Sequence, residues 1–345
     1  MNVWILTSGF GSGHASVAKA LEEDYRRQGH SVEVSDVVRL VYPKQADGIY
    51  EGFRRYICRS GKAYIWVNHF GRNAYLCGDT HPALQREMAR IRPDLIVTTW
   101  SGCGRKLGKT AVPVHVWITD VGVHPGWLYP EAAAYFVATE EVRERLLHLG
   151  VAAEKIRVRG IPVKHAFRCL PDKEPAERPD KHLLVMGGGL GVIPWLEGLL
   201  QELAAAPRVK ITVIAGKNQK LCEKLRRHYP MVETVGYVDD VPRYLAQADF
   251  LVSKPGGVSL FESIYATTPC IAMCPAYQHE RENAAFIEKY DIGMVVPQAK
   301  TAGAQILRLL NDPDRCRRYQ ENVVRMKHAL ERAAQPEGME NGHGV

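Results

Sequence analysis

The chain has 345 residues, 46% hydrophobic and 24% charged, with a formal net charge of +7. That length suits two ordinary domains, because single cores rarely grow past roughly 250–300 residues. The composition is that of a globular protein, and no apolar run approaches the ~20 residues of a membrane span. The charge leans toward an anionic partner: a nucleotide, an anionic lipid surface or nucleic acid. Eight cysteines (58, 77, 103, 169, 222, 270, 274 and 316) include no CxxC pair, and the N-terminus carries no signal-peptide pattern. A reduced, cytoplasmic protein with neither a disulfide framework nor a metal site is expected.

Short apolar strands alternate with helical patterns, which predicts an α/β architecture. NVWILTS, HSVEVSDV, DLIVTTW, VPVHVWITD, AAYFVAT and KIRVRG read as strands of a first half, residues 1–163. Ala15–Gln28 reads as an amphipathic helix. Residues 44–76 depart from the alternation, setting Lys44, Arg54, Arg55, Arg59, Lys62 and Arg72 among Tyr, Phe and Trp residues such as Trp66. Rings beside cations suit a membrane interface; a helical excursion packed on the first domain is the other reading. Residues 164–181, with three prolines and many charges, read as a linker. Strands resume with HLLVMGGG, VKITVIAG, ETVGYV, DFLVSK and CIAMC in a second half, 182–311, followed by a helix near 312–333 and a polar tail, 334–345. Two doubly wound, Rossmann-like halves facing a central cleft at the carboxyl ends of their strands fit this order.

Three glycine-rich stretches follow strands. Gly9-Phe10-Gly11-Ser12-Gly13-His14 leads into a helix, where free N–H groups and the helix dipole favour an anion. A dinucleotide fingerprint would need glycine where His14 stands, although Asp36 ends the second strand where a ribose-binding acid would sit; a tight turn with a capping histidine is the bland reading. Met186-Gly187-Gly188-Gly189-Leu190-Gly191 reads as a second phosphate cradle, before a helix starting near Ile193. Lys254-Pro255-Gly256-Gly257-Val258-Ser259-Leu260-Phe261-Glu262 makes a third anion site, unless Ser259 and Glu262 form a capping box. GCGRKLGKT (102–110) lacks the glycine a P-loop needs, because Cys103 occupies that place.

Seven motifs in order, GSGHASVAKAL, ITDVGVHPGW, the GGGLG loop, AGKNQKL, VGYVDDV, KPGGVSLFES and HERENAAFI, resemble the GT-B glycosyltransferases of family 28 over roughly residues 2–300. The similarity is to the diacylglycerol glucosyltransferase and monogalactosyldiacylglycerol synthase branch, and more distantly to the enzyme that forms lipid II. The resemblance implies a GT-B fold with a UDP-sugar in the second half. Gly187, Gly188, Gly189, Leu190, Gly191, Lys254, Pro255, Gly256, Gly257 and Ser259, with Gly13, Lys217 and Asn218, would surround the donor. Glu262 would accept from the ribose hydroxyls, and main-chain groups near Tyr237 and Val238 would read uracil. His279, Glu280 and Asn283 would lie by the sugar and phosphates; His279 stands where similar enzymes carry glutamine.

The resemblance further implies inverting, metal-independent transfer of a hexose to a lipid hydroxyl, diacylglycerol first, with UDP-sugar as substrate and no cofactor. The base would be His14, Asp120 or His124. Trp127 and the 44–76 segment (Arg54, Arg55, Arg59, Trp66) would receive the lipid, at the inner face of the cell membrane and without nucleic acid. A polyprenyl-linked or soluble acceptor, a UDP-sugar 2-epimerase and a non-catalytic UDP-sugar sensor are the rival expectations, and the oligomeric state stays open.

Overall fold

A computed structural model describes residues 1–59, 80–174, 180–204 and 206–334. Among these, two six-stranded sheets are parallel throughout. The first holds Asn2–Thr7 (β1), Ser31–Asp36 (β2), Leu95–Thr98 (β3), Val114–Trp117 (β4), Ala132–Val137 (β5) and Ile156–Val158 (β6), in the order β2-β1-β3-β4-β5-β6. The second holds Lys181–Met186 (β7), Val209–Ile214 (β8), Glu233–Val235 (β9), Phe250–Ser253 (β10), Cys270–Met273 (β11) and Gly293–Val296 (β12), ordered β12-β11-β10-β7-β8-β9. Each stretch read as a strand from the sequence contains one. β12 was not expected: four residues opened by a glycine carry little periodicity. That glycine is required, since a Cβ on Gly293 would lie 1.9 Å from the Cys270 carbonyl oxygen.

In each sheet the chain leaves the first strand in one direction and returns on its other side. The switch points lie between β1 and β3 and between β7 and β10, where the carboxyl ends of neighbouring strands diverge into a crevice. The loops after β1 and β3 carry Ser8–Gly13 and Thr99; those after β7 and β10 carry Gly187–Gly191 and Lys254–Gly256.

The central strands are buried on both faces, as parallel sheets require: every residue of LIVT (95–98), FLVS (250–253) and CIAM (270–273) is buried. Leu196, Leu199, Leu200 and Leu203 form the apolar stripe of Leu196–Leu203. One apolar cluster crosses between the domains, joining Ile5, Val97 and Val121 to Phe261, Ile264 and Phe286. The thiols of Cys103, Cys222, Cys270 and Cys316 are free and buried.

The connection at 164–181 is clamped along its described part. Lys173 Nζ donates to the carbonyls of Leu245 (2.6 Å) and Ala248 (2.7 Å). Lys327, on the closing helix Pro313–Ala334, pairs with Asp172 at 2.7 Å from a buried position. No helix among the described residues is long and apolar enough to cross a membrane.

Ala46–Arg59 packs on the first domain through Ala46 and Tyr50, both buried. The side chains of Arg54, Arg55 and Arg59, and Trp66, lie outside the described residues.

Candidate active site

Gly11, at φ +84°, turns the chain from β1 into the helix Ser12–Arg27, whose first turn carries His14. The loop is held from behind: Gly9 N–H donates to Tyr50 Oη at 2.8 Å, and a Cβ on Gly9 would sit 2.8 Å from the Tyr50 ring. The Tyr50 hydroxyl donates in turn to Asp36 at 2.6 Å, and Asp36 also caps Val37–Val41. Asp36 is thereby committed to the fold, which removes the ribose role weighed for it.

His14 Nδ1 lies 2.8 Å from the Thr99 carbonyl oxygen and 3.2 Å from Thr119 Oγ1. A carbonyl only accepts, so Nδ1 carries the proton and Nε2 carries the lone pair. Burial pushes the imidazole below its ordinary pKa, and Asp120 pulls it partly back. The bond to Thr99 spans the β1/β3 switch point. Thr99 and Thr119, not Asp120, therefore fix the ring's tautomer. Neither threonine stood out in the sequence, although Thr99 directly follows β3 and Thr119 directly precedes Asp120.

Asp120 follows β4. Burial raises its carboxyl above the usual carboxylate range, while His279, His14, the Asn283 amide and the Gly257 N–H draw it back. Asn283 is fully buried and bridges the domains. It donates to Asp120 Oδ1 at 3.3 Å and to the Pro255 carbonyl at 2.8 Å, and its Oδ1 accepts from Val121 N–H at 3.2 Å. Both of its N–H groups are thus engaged in joining the domains.

Two first-domain residues adjoin this centre. His124 Nδ1 accepts from Gly126 N–H at 3.1 Å, which leaves Nε2 bearing hydrogen in the neutral ring; such a group donates rather than acts as a base. Trp127 is 4% exposed within the first domain's core, its ring centroid 6.4 Å from that of His14 and 6.3 Å from that of His124.

On the second domain, Gly257–Tyr265 starts at Gly256 with no side-chain cap. Ser259 and Glu262 therefore lie inside the helix, and the capping box does not form. Glu262 has no hydrogen-bond partner among the described residues, and burial lifts its carboxyl to about 7 against the pull of Lys164. Lys254 is exposed beside this helix start. Gly13 approaches it, a Cβ there lying 3.5 Å from Val258 Cγ2.

The loop Gly187–Gly191 turns through positive φ at Gly188 and Gly191 and packs against 215–218. A Cβ on Gly191 would fall 1.8 Å from the Ala215 carbonyl oxygen. The next helix begins at Leu196, not near Ile193, so this loop does not run straight into a helix N-terminus. Leu190 is exposed at its tip. Asn218 caps Gln219–His228 and donates to the Gly191 carbonyl, which makes it a support of the loop. Lys217 lies over the exposed Tyr237 ring at 5.5 Å, with Val238 half-buried beside it. Glu280 is spent on the N–H groups of Ala276 (2.9 Å) and Tyr277 (3.3 Å) as a cap of Gln278–Lys289. His279 stacks on Tyr277 at 5.7 Å and lies in range of both Asp120 and His14.

Two parallel-sheet domains presenting their switch points to one another define the GT-B class. MurG of Acinetobacter baumannii superposes with a TM-score of 0.57 at 14% identity, over 98% of this chain and 96% of that one. A UDP-N-acetylglucosamine 2-epimerase gives 0.57 at 14% identity, over 96% and 94%. Residues 14–163 match the family model of monogalactosyldiacylglycerol (MGDG) synthase, and residues 182–339 that of the glycosyltransferase family 28 C-terminal domain. The chain is a glycosyltransferase with the GT-B fold, and its second half carries the family 28 C-terminal domain. A processive diacylglycerol beta-glucosyltransferase of Bacillus mycoides (strain KBAB4) is 28% identical over 97% of this chain and 90% of its own length.

Proposed function

We propose that this enzyme moves a hexose from a UDP-sugar to a lipid hydroxyl, that of diacylglycerol, forming a β-glycoside by inversion without a metal. The observation that carries the reading is His14: its Nδ1 is tied to Thr99 and its Nε2 lone pair is left at the first domain's switch point, beside the uncapped helix start of the second. Nε2 takes the acceptor's proton as that oxygen attacks the sugar's anomeric carbon from the face opposite UDP. The bond from that carbon to the diphosphate oxygen breaks, and UDP leaves as an anion. Amides at the start of Gly257–Tyr265, together with Lys254, meet its charge. Asp120 offsets the imidazolium that forms, and Glu262 accepts from the ribose diol.

The Bacillus relative's name supports diacylglycerol as acceptor, and such an acceptor implies work at a cytoplasmic membrane surface. The fold alone is shared with an epimerase, so turnover must separate the two. Radiolabelled UDP-glucose, UDP-galactose and UDP-N-acetylglucosamine are each incubated with the enzyme, with and without diacylglycerol vesicles. Label is expected in lipid only when vesicles are present. Conversion of the donor sugar without acceptor would establish the epimerase reading, and no turnover of any donor would contradict the proposal.

A further inference from the structure

We infer that Asp120 is a two-domain group: its carboxylate is held by the Asn283 amide and the Gly257 N–H of the second domain, so the acid–base centre is complete only when the domains are closed, with Asn283 as its positioning residue. The inference rests on the catalytic reading of His14 and Asp120 above.

Asp120 lies in the loop after β4, yet no first-domain hydrogen bond to its carboxylate is seen among the described residues. Asn283 reaches Oδ1 at 3.3 Å from the helix Gln278–Lys289, and the Gly257 N–H bonds to the carboxylate from the start of Gly257–Tyr265. The same amide grips both sides, accepting from Val121 N–H (3.2 Å) and donating to the Pro255 carbonyl (2.8 Å). The approach admits no side chain at Gly257, where a Cβ would lie 2.5 Å from the Thr119 carbonyl oxygen and 2.9 Å from Asp120 Oδ1. Opening the cleft would remove both donors from a carboxylate already raised by burial. Water would then reach the carboxylate and relieve that burial, leaving an ionised group no longer held where it offsets an imidazolium on His14. The charged and titratable groups facing this centre are His14 on its own domain, His279 on Gln278–Lys289, and His124, which faces His14. Glu282, packed against Gly122, is paired with Arg145 at 2.9 Å.

The test is the pH profile of kcat for lipid glycosylation, with the donor KM measured alongside. Asn283→Asp sets a second carboxyl beside Asp120, and the acid limb of kcat is expected to move up by about one pH unit. Asn283→Ala is expected to lower kcat by about tenfold while the donor KM stays within about threefold. Should Asn283→Asp fail to fold, Gly257→Ala, which leaves charge unchanged and pushes the helix start off Asp120, is expected to move the acid limb in the same direction. An acid limb that stays in place, or a loss confined to donor KM, would overturn the inference. Asp120→Asn separates the underlying reading: full kcat in that variant would refute a catalytic Asp120 itself, whatever Asn283 does.

Discussion

Glu262 is a residue whose burial weakens the fold above neutral pH. Its carboxyl is raised by burial to about 7 in the folded chain, against an ordinary 4.5. Below the unfolded value both states hold the proton, and the residue contributes nothing. As pH rises from there to about 7 the unfolded chain ionises first, so the folded state is penalised, and the penalty is complete above 7. Glu262→Gln is therefore expected to raise the Tm at pH 8, by a stabilisation on the order of 1–3 kcal/mol, and to leave it unchanged near pH 4. The same variant is expected to bind UDP more weakly by calorimetry at pH 8. Equal melting at both pH values would argue against a desolvated carboxyl, and unchanged UDP affinity against the ribose role. Serine and glutamate at capping-box spacing resemble a helix start, and only the position of Gly256 as cap showed that Glu262 is free. His14, in contrast, stood out from sequence because it displaced a glycine. The roles of Asn218 and Asn283 were not legible, since each is completed by backbone groups that the fold brings from other segments; Glu280 instead caps its own helix through the neighbouring Ala276 and Tyr277.

Among the elements, Ala46–Arg59 supports the glycine loop. Tyr50, 7% exposed, links the Gly9 N–H to the Asp36 carboxylate, and the Phe10 ring packs on Tyr50 at 5.0 Å, Phe53 at 4.9 Å and Trp100 at 5.4 Å. Tyr50→Phe keeps the ring but leaves the Gly9 N–H and Asp36 without their partner. The expected cost is about 1–3 kcal/mol in chemical unfolding, with a fall in kcat because the loop also positions His14. Stability within error of the parent would show that the bridge is replaced by water. This helix was legible as an excursion from the strand alternation, and its packing on the first domain follows from two apolar positions, Ala46 and Tyr50. β12 was not legible, because its short apolar run lacks an alternating pattern and is explained by contact with β11.

On the scale of the molecule, the two sheets and their switch points follow from the alternation of strands and helices, which is why the doubly wound halves could be read without coordinates. What joins the halves could not. Polar pairs across the cleft, such as Arg145 with Glu282 at 2.9 Å and Tyr290 with Glu141 at 2.6 Å, are partly exposed, and pairs of that kind contribute roughly 0–1 kcal/mol each. The shared apolar cluster that includes Val121, Ile161, Phe261 and Phe286 accounts for more of the contact. The cleft so formed brings the His14 loop to the helix start that would hold the leaving diphosphate. The most direct test is the anomeric configuration of the first glycolipid formed from diacylglycerol and the UDP-hexose the enzyme turns over, determined by NMR in the presence of EDTA. A β-glycoside formed at an undiminished rate is expected. An α-glycoside, or a reaction abolished by the chelator and restored by a divalent cation, would contradict a metal-independent displacement driven by His14.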